Sequence, residues 1–186
     1  MGFDLILAYL QKSNTITIAV LALLSLYFLL VNWLFFYRYL YLLFWQNREK
    51  NSLQTINMGS NRPAPNSFLQ TCLGKSKITK TTQDFCIQNG TKEATSGLTF
   101  LSIAASTSPF IGLFGTVVSI LETFYVLGST KASISTISSS IGEALVATAA
   151  GIFVAVFAYS YHLILKRKAY ELVTTLSMQL DLIMDR

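Results

Sequence analysis

Charge is scarce in this sequence. Charged residues fill 12% of its 186 positions, about half the share of roughly 25% found in soluble domains. The ionic surface that keeps a globular protein in water is missing. Histidine occurs once, at His162, and cysteine twice, at Cys72 and Cys86, without CxxC spacing, so no zinc site is expected. No nucleophile–base set and no cluster of metal-ligating residues is present, which argues against an enzyme and against a cofactor. Proline is limited to Pro63, Pro65 and Pro109, and neither proline nor glycine follows Gly151. A helix crossing that region should therefore run on to the C-terminus.

What fills the chain instead is apolar: 52% of the residues are hydrophobic. They form three blocks, each longer than the roughly 20 residues that cross a bilayer. A cleaved signal peptide does not fit the first block, because Asp4 precedes Lys12, the apolar run is too long and no small-residue cleavage site follows. Basic residues set the orientation. Arg48, Lys50, Arg62, Lys75, Lys77, Lys80 and Lys92 lie between the first two blocks, and Lys166, Arg167 and Lys168 follow the third. By the positive-inside rule these segments face the cytoplasm. The net charge of +5 then orients the chain in lipid and does not bind nucleic acid.

The expected organisation is an all-α membrane protein with three transmembrane helices and helical cytoplasmic extensions, N-terminus outside and C-terminus inside. It divides into a periplasmic segment 1–15, a first span 16–45, a cytoplasmic loop 46–97, a second span 98–127, a periplasmic loop 128–133, a third span 134–165 and a cytoplasmic helical tail 166–186. Both cysteines fall in the 46–97 loop, where thiols are expected to stay reduced. That loop has room for one or two short helices but not for a core of its own. In the tail, Ala169, Val173, Leu176, Leu180 and Ile183 recur at helical spacing and need a partner, from the chain's own loop helices or from another copy. Arg38 and His162 read as interfacial anchors.

Glu143 carries the strongest chemical signal. Between Lys131 and Lys166 it is the sole formal charge, and a carboxylate at membrane depth must be protonated, paired or set against a wet cavity. Glu143, Ala147, Gly151 and Ala155 share one face of small residues that admits a neighbouring helix. Thr148 lies five positions on from Glu143, about 140° around the helix. The second span holds "SPFIGLFGTVVSIL", with Pro109, Gly112, Gly115 and Thr116, and Ala104, Ser108, Gly112 and Thr116 form a second small stripe. Glu122 closes that span near its outer end and is the candidate mouth of a pathway.

"SPFIGLFGTVVSI" followed by "GEALVATAAGIFVA" resembles the two signature segments of the TolQ/ExbB family, which is related to flagellar stator subunits. The resemblance covers about residues 98–165. It implies an inner-membrane, multi-pass subunit of a bacterial proton channel, assembled as a homopentamer around the single spans of a TolR- or ExbD-like partner that supplies a membrane aspartate. Such a motor uses the proton motive force to drive work at the outer membrane, through a TolA- or TonB-like protein. By motif position Glu143, Thr116 and Thr148 match the pore residues, while Pro109, Gly112, Gly115, Ala147 and Gly151 make the wall. Glu122 stands where a neutral or basic polar residue would be expected. The resemblance leaves Tol–Pal envelope maintenance and TonB-dependent uptake both open, with a slight inclination to the former. The alternative is a non-conducting scaffold subunit of a larger complex.

Overall fold

The structure is a computed structural model. It describes residues 15–60, 62–74, 79–129 and 134–184, the side chains at 15, 126–129, 134–137 and 139 excepted. Residues 1–14 and most of the expected 128–133 loop lie outside the described residues.

Every described element is an α-helix. α1 spans Thr15–Asn57, α2 Phe68–Leu73, α3 Lys80–Ala94, α4 Leu98–Ser129 and α5 Ile134–Met184. α1, α4 and α5 are each long and apolar enough to cross a membrane. The 43 residues of α1 and 51 of α5 rise about 65 and 75 Å at 1.5 Å per residue, well beyond a hydrocarbon core of about 30 Å. The flanking spans thus continue as helices past the apolar blocks. α4 also runs uninterrupted through Pro109.

Two compact units emerge, and α1 and α5 contribute to both. One comprises Met1–Trp33 and Phe100–Ser160, the other Leu34–Thr99 and Tyr161–Arg186. In the first unit Val20, Leu24, Ala147 and Val154 form the core, with Tyr27, Phe28, Ile111 and Ala150 packed against it. Phe28 meets Phe153 and Phe157, each at 5.6 Å between ring centroids. Leu29, Phe110, Phe114, Leu121, Leu145 and Val156 point outward and are exposed. A surface that apolar suits lipid or other membrane helices, not water.

The second unit packs the tail of α5 on the extension of α1 and on α2 and α3. Its core includes Leu42, Trp45, Ile56, Leu69, Leu73, Leu165, Leu172, Leu176 and Leu180. The tail therefore finds its partner within its own chain, and its buried line is Leu165, Ala169, Leu172, Leu176 and Leu180, with Val173 and Ile183 half-buried at the edge. Glu49, fully buried, accepts from the backbone N–H of Phe68 at 2.7 Å and from Gln179 Nε2 at 3.1 Å. Arg38 is not a snorkelling anchor. It donates to the carbonyls of Glu93 and Ala94 at 2.7 and 3.2 Å, satisfying the last turn of α3, whose helix dipole favours a cation there. His162 Nδ1 lies 3.1 Å from the carbonyl of Leu98.

The expectation of reduced thiols is not met. Cys72 on α2 and Cys86 on α3 form a disulfide, their Cα atoms 5.9 Å apart. Compartment reasoning treats each thiol alone, whereas the packing of α2 against α3 brings these two within bonding distance.

Candidate functional site

The crossing of α4 and α5 is built on missing side chains. A Cβ added to Gly112 would lie 2.6 Å from the carbonyl oxygen of Ala147 and 3.0 Å from Thr148 Cα. One added to Gly151 would lie 2.6 Å from the carbonyl oxygen of Ser108 and 3.1 Å from Gly112 Cα. Only hydrogen fits at either place, so the two backbones touch. One turn along, Gly115 admits Val20 of α1 and Ala147 of α5, at 3.0 and 3.2 Å from the same hypothetical atom. The stripe Ala104, Ser108, Gly112 and Thr116 is buried throughout, as expected. On α5 the buried line is Ala144, Ala147, Gly151, Val154 and Ala158. Ala155 and Glu143 stand half-buried beside it rather than in it. Pro109 is half-buried on α4, where Ser108 caps the carbonyl of Ala104 at 2.6 Å.

Close approach of the backbones brings the two candidate threonines together. The hydroxyls of Thr116 and Thr148 stand 3.0 Å apart. Thr116 Oγ1 also reaches the carbonyls of Leu113 at 2.6 Å and Gly112 at 3.4 Å, and Thr148 Oγ1 reaches that of Gly112 at 3.3 Å. Two hydroxyl protons face the two carbonyls and each other's oxygens, so the cluster is rich in acceptors and short of donors. An oxygen cluster of that kind can accept a further hydrogen bond from water, a hydrated proton or a protonated acid. Thr116 is buried and Thr148 half-buried.

Glu143 stands five residues before Thr148, about 7.5 Å along α5, and is half-buried. The two thus occupy successive levels of one helix, not one spot. Farther along α4, Ser119 is buried and accepts Thr123 Oγ1 at its carbonyl at 2.8 Å. Sequence reasoning passed over Ser119, although its i+3 relation to Thr116 was the available signal. Glu122 is half-buried, with Oε2 fully buried and without a hydrogen-bond partner among the described residues. No group of three or more metal-ligating side chains occurs among the described residues.

Comparison with known proteins gives this geometry a context. The model of the MotA/TolQ/ExbB proton channel family matches residues 68–178. A biopolymer transport protein of Helicobacter pylori named ExbB-like 1 is 42% identical over 186 residues, covering 97% of each chain. The biopolymer transport protein ExbB of Neisseria gonorrhoeae is 51% identical over 69 residues, 35% of this chain and 31% of that one. The Tol–Pal system protein TolQ of Pseudomonas aeruginosa is 47% identical over 60 residues, 32% of this chain and 26% of its own.

Proposed function

Because the chain belongs to the MotA/TolQ/ExbB proton channel family, we propose that it is the multi-pass, pore-forming subunit of an inner-membrane motor of the ExbB–ExbD type. In this reading several copies, five by the family's pattern, surround the single spans of an ExbD-like partner that brings a membrane aspartate. Protons pass inward along Glu143, Thr116 and Thr148, and the work reaches a TonB-like protein. The observation that carries the path is the hydroxyl pair at 3.0 Å, set where Gly112 and Gly151 let two spans meet backbone to backbone. Pro109, Gly115 and Ala147 complete the wall. The acceptor-rich oxygens give a proton polar footing in an otherwise apolar span. Glu143 supplies a carboxylate one level away that can hold a proton or pass it.

The ExbB-type role is preferred to the Tol–Pal role for one reason. Similarity to the ExbB-like relative runs the length of both chains, while similarity to TolQ is confined to 60 residues. The signature segments resemble both subfamilies, so the motif alone, with its slight inclination to Tol–Pal, does not separate them.

Removal of the gene from its own locus tests the assignment. Energised uptake through TonB-dependent receptors is expected to fail, while resistance to detergent, which reports envelope integrity, persists. The reverse pattern moves the chain to the Tol–Pal role. Retention of both contradicts a motor subunit and favours a non-conducting scaffold.

A further inference from the structure

Glu122 has no counterpart in the path described so far, yet it is the second charge set into the membrane unit. Within residues 15–33 and 100–160 the charged residues are Glu122, Lys131 and Glu143, and Lys131 lies outside the described residues. The contacts between α4 and α5 fix their register. Gly151 meets Ser108, Gly112 meets Thr148, and Gly115 meets Ala147; as numbers rise on α4 they fall on α5, so the helices are antiparallel. Extended along both axes, this pairing sets Ser119 level with Glu143 and Glu122 level with Ser140. The two acids therefore stand within about one helical turn of each other in depth. Both lie on the same side of the threonine pair, toward the end of the spans that the basic-residue pattern assigns to the outside.

The surroundings leave the Glu122 carboxyl short of a donor. Its Oε2 is buried without a hydrogen-bond partner among the described residues. The hydroxyl next to it in sequence, Thr123 Oγ1, is committed to the carbonyl of Ser119 at 2.8 Å. Among the described side chains of α1, α4 and α5 in this unit there is no cation to neutralise it. An oxygen buried this way is costly unless something binds it. With a second carboxyl at nearly the same depth, what fits is a proton.

We propose that Glu122 is the proton-collecting acid of the path, loading Glu143 from the outer side. This rests on the proton-path reading above and deepens it. A hydronium ion gives its proton to Glu122 Oε2, forming an O–H bond and leaving water. That bond then breaks as the proton passes to the Glu143 carboxylate, and Glu122 returns to its charged form. The pair carries one proton and one negative charge before and after the transfer. Glu143 then stands protonated one level from the acceptor-rich Thr116–Thr148 oxygens.

The test uses the complex purified from its own membranes through a tag on this chain, reconstituted in liposomes under a pH gradient, with proton flux read by an enclosed dye. Glu122→Gln is expected to lower the flux about tenfold, the effect of about 1.4 kcal/mol on a barrier. Glu122→Asp, which keeps a titratable carboxyl, is expected to stay within about twofold of the native rate. A membrane-impermeant buffer at high concentration should restore part of the flux to Glu122→Gln and none to Glu143→Gln. Native flux in Glu122→Gln beside a dead Glu143→Gln overturns the collecting role and leaves the path standing. Equal loss in Glu122→Gln and Glu122→Asp, with no response to buffer, also overturns it, since shape and not titration is then required. Unchanged flux in Glu143→Gln overturns the path itself.

Discussion

Single side chains do two kinds of work in this protein, one in each unit. In the membrane unit Thr116 and Thr148 gather oxygens that lack donors, an unfinished arrangement suited to a passing proton. In the other unit buried polar groups pair across helices, while Arg38 Nε and Gln179 Oε1 stay buried without a hydrogen-bond partner among the described residues. Glu49 takes hydrogen bonds from Phe68 and Gln179, and Arg38 closes the end of α3. Glu171 belongs to the second kind. Arg167 at 2.9 Å, with Gln46 and Lys168 at 3.2 Å, holds its carboxyl down to about 2. A carboxyl lowered on folding stabilises the fold above the ordinary carboxylate range, and that contribution fades as pH falls toward 2. The pair is partly exposed, so the effect is modest. Purified Glu171→Gln should melt below the native chain at pH 7, with the gap narrowing below the ordinary carboxylate range and closing only as pH falls through about 2; a gap that stays constant with pH would show that these contacts do not act through charge.

Between helices the decisive feature is the crossing at Gly112 and Gly151. Because a Cβ at Gly112 meets backbone atoms rather than a side-chain tip, the neighbour cannot swing aside and α4 and α5 must separate. Gly112→Ala is expected to cost roughly 1–3 kcal/mol, as overpacking does in a tight core, and to part the two hydroxyls. Gly142 is the matched control, since a Cβ there meets nothing within 4 Å. Melting in detergent should fall for Gly112→Ala and hold for Gly142→Ala; equal melting would mean that the crossing tolerates a methyl group.

The small stripe of α4 was readable because spacing four is the helix repeat. On α5 the same rule chose Glu143 and Ala155, while the structure buries Ala144 and Val154. Two antiparallel helices meet along a line that alternates steps of three and four, and periodicity alone does not say which neighbour of a stripe wins. The tail shows the same shift, with Leu172 buried where Val173 was expected. Pairings between distant residues, such as Arg38 with Glu93, Glu49 with Gln179 and Cys72 with Cys86, left no local trace in the sequence. They depend on where α2 and α3 fold back.

At the scale of the whole molecule, three apolar helices and membership of the MotA/TolQ/ExbB proton channel family make this a multi-pass membrane protein of a transport system. Its membrane unit carries Thr116 and Ser119 buried and Glu122, Glu143 and Thr148 half-buried, while many large apolar side chains face outward. That contrast is what a subunit needs if lipid or sister copies cover one side while a charge crosses on the other. The central claim is the proposal that Glu143 carries the proton in that crossing. Glu143→Gln, made at the chromosomal locus and expressed at the native level, preserves shape while removing the proton. Energised uptake is expected to fall to the level of the deletion strain, with the protein still present in the membrane. Uptake and envelope integrity both at native levels in that strain would contradict the account.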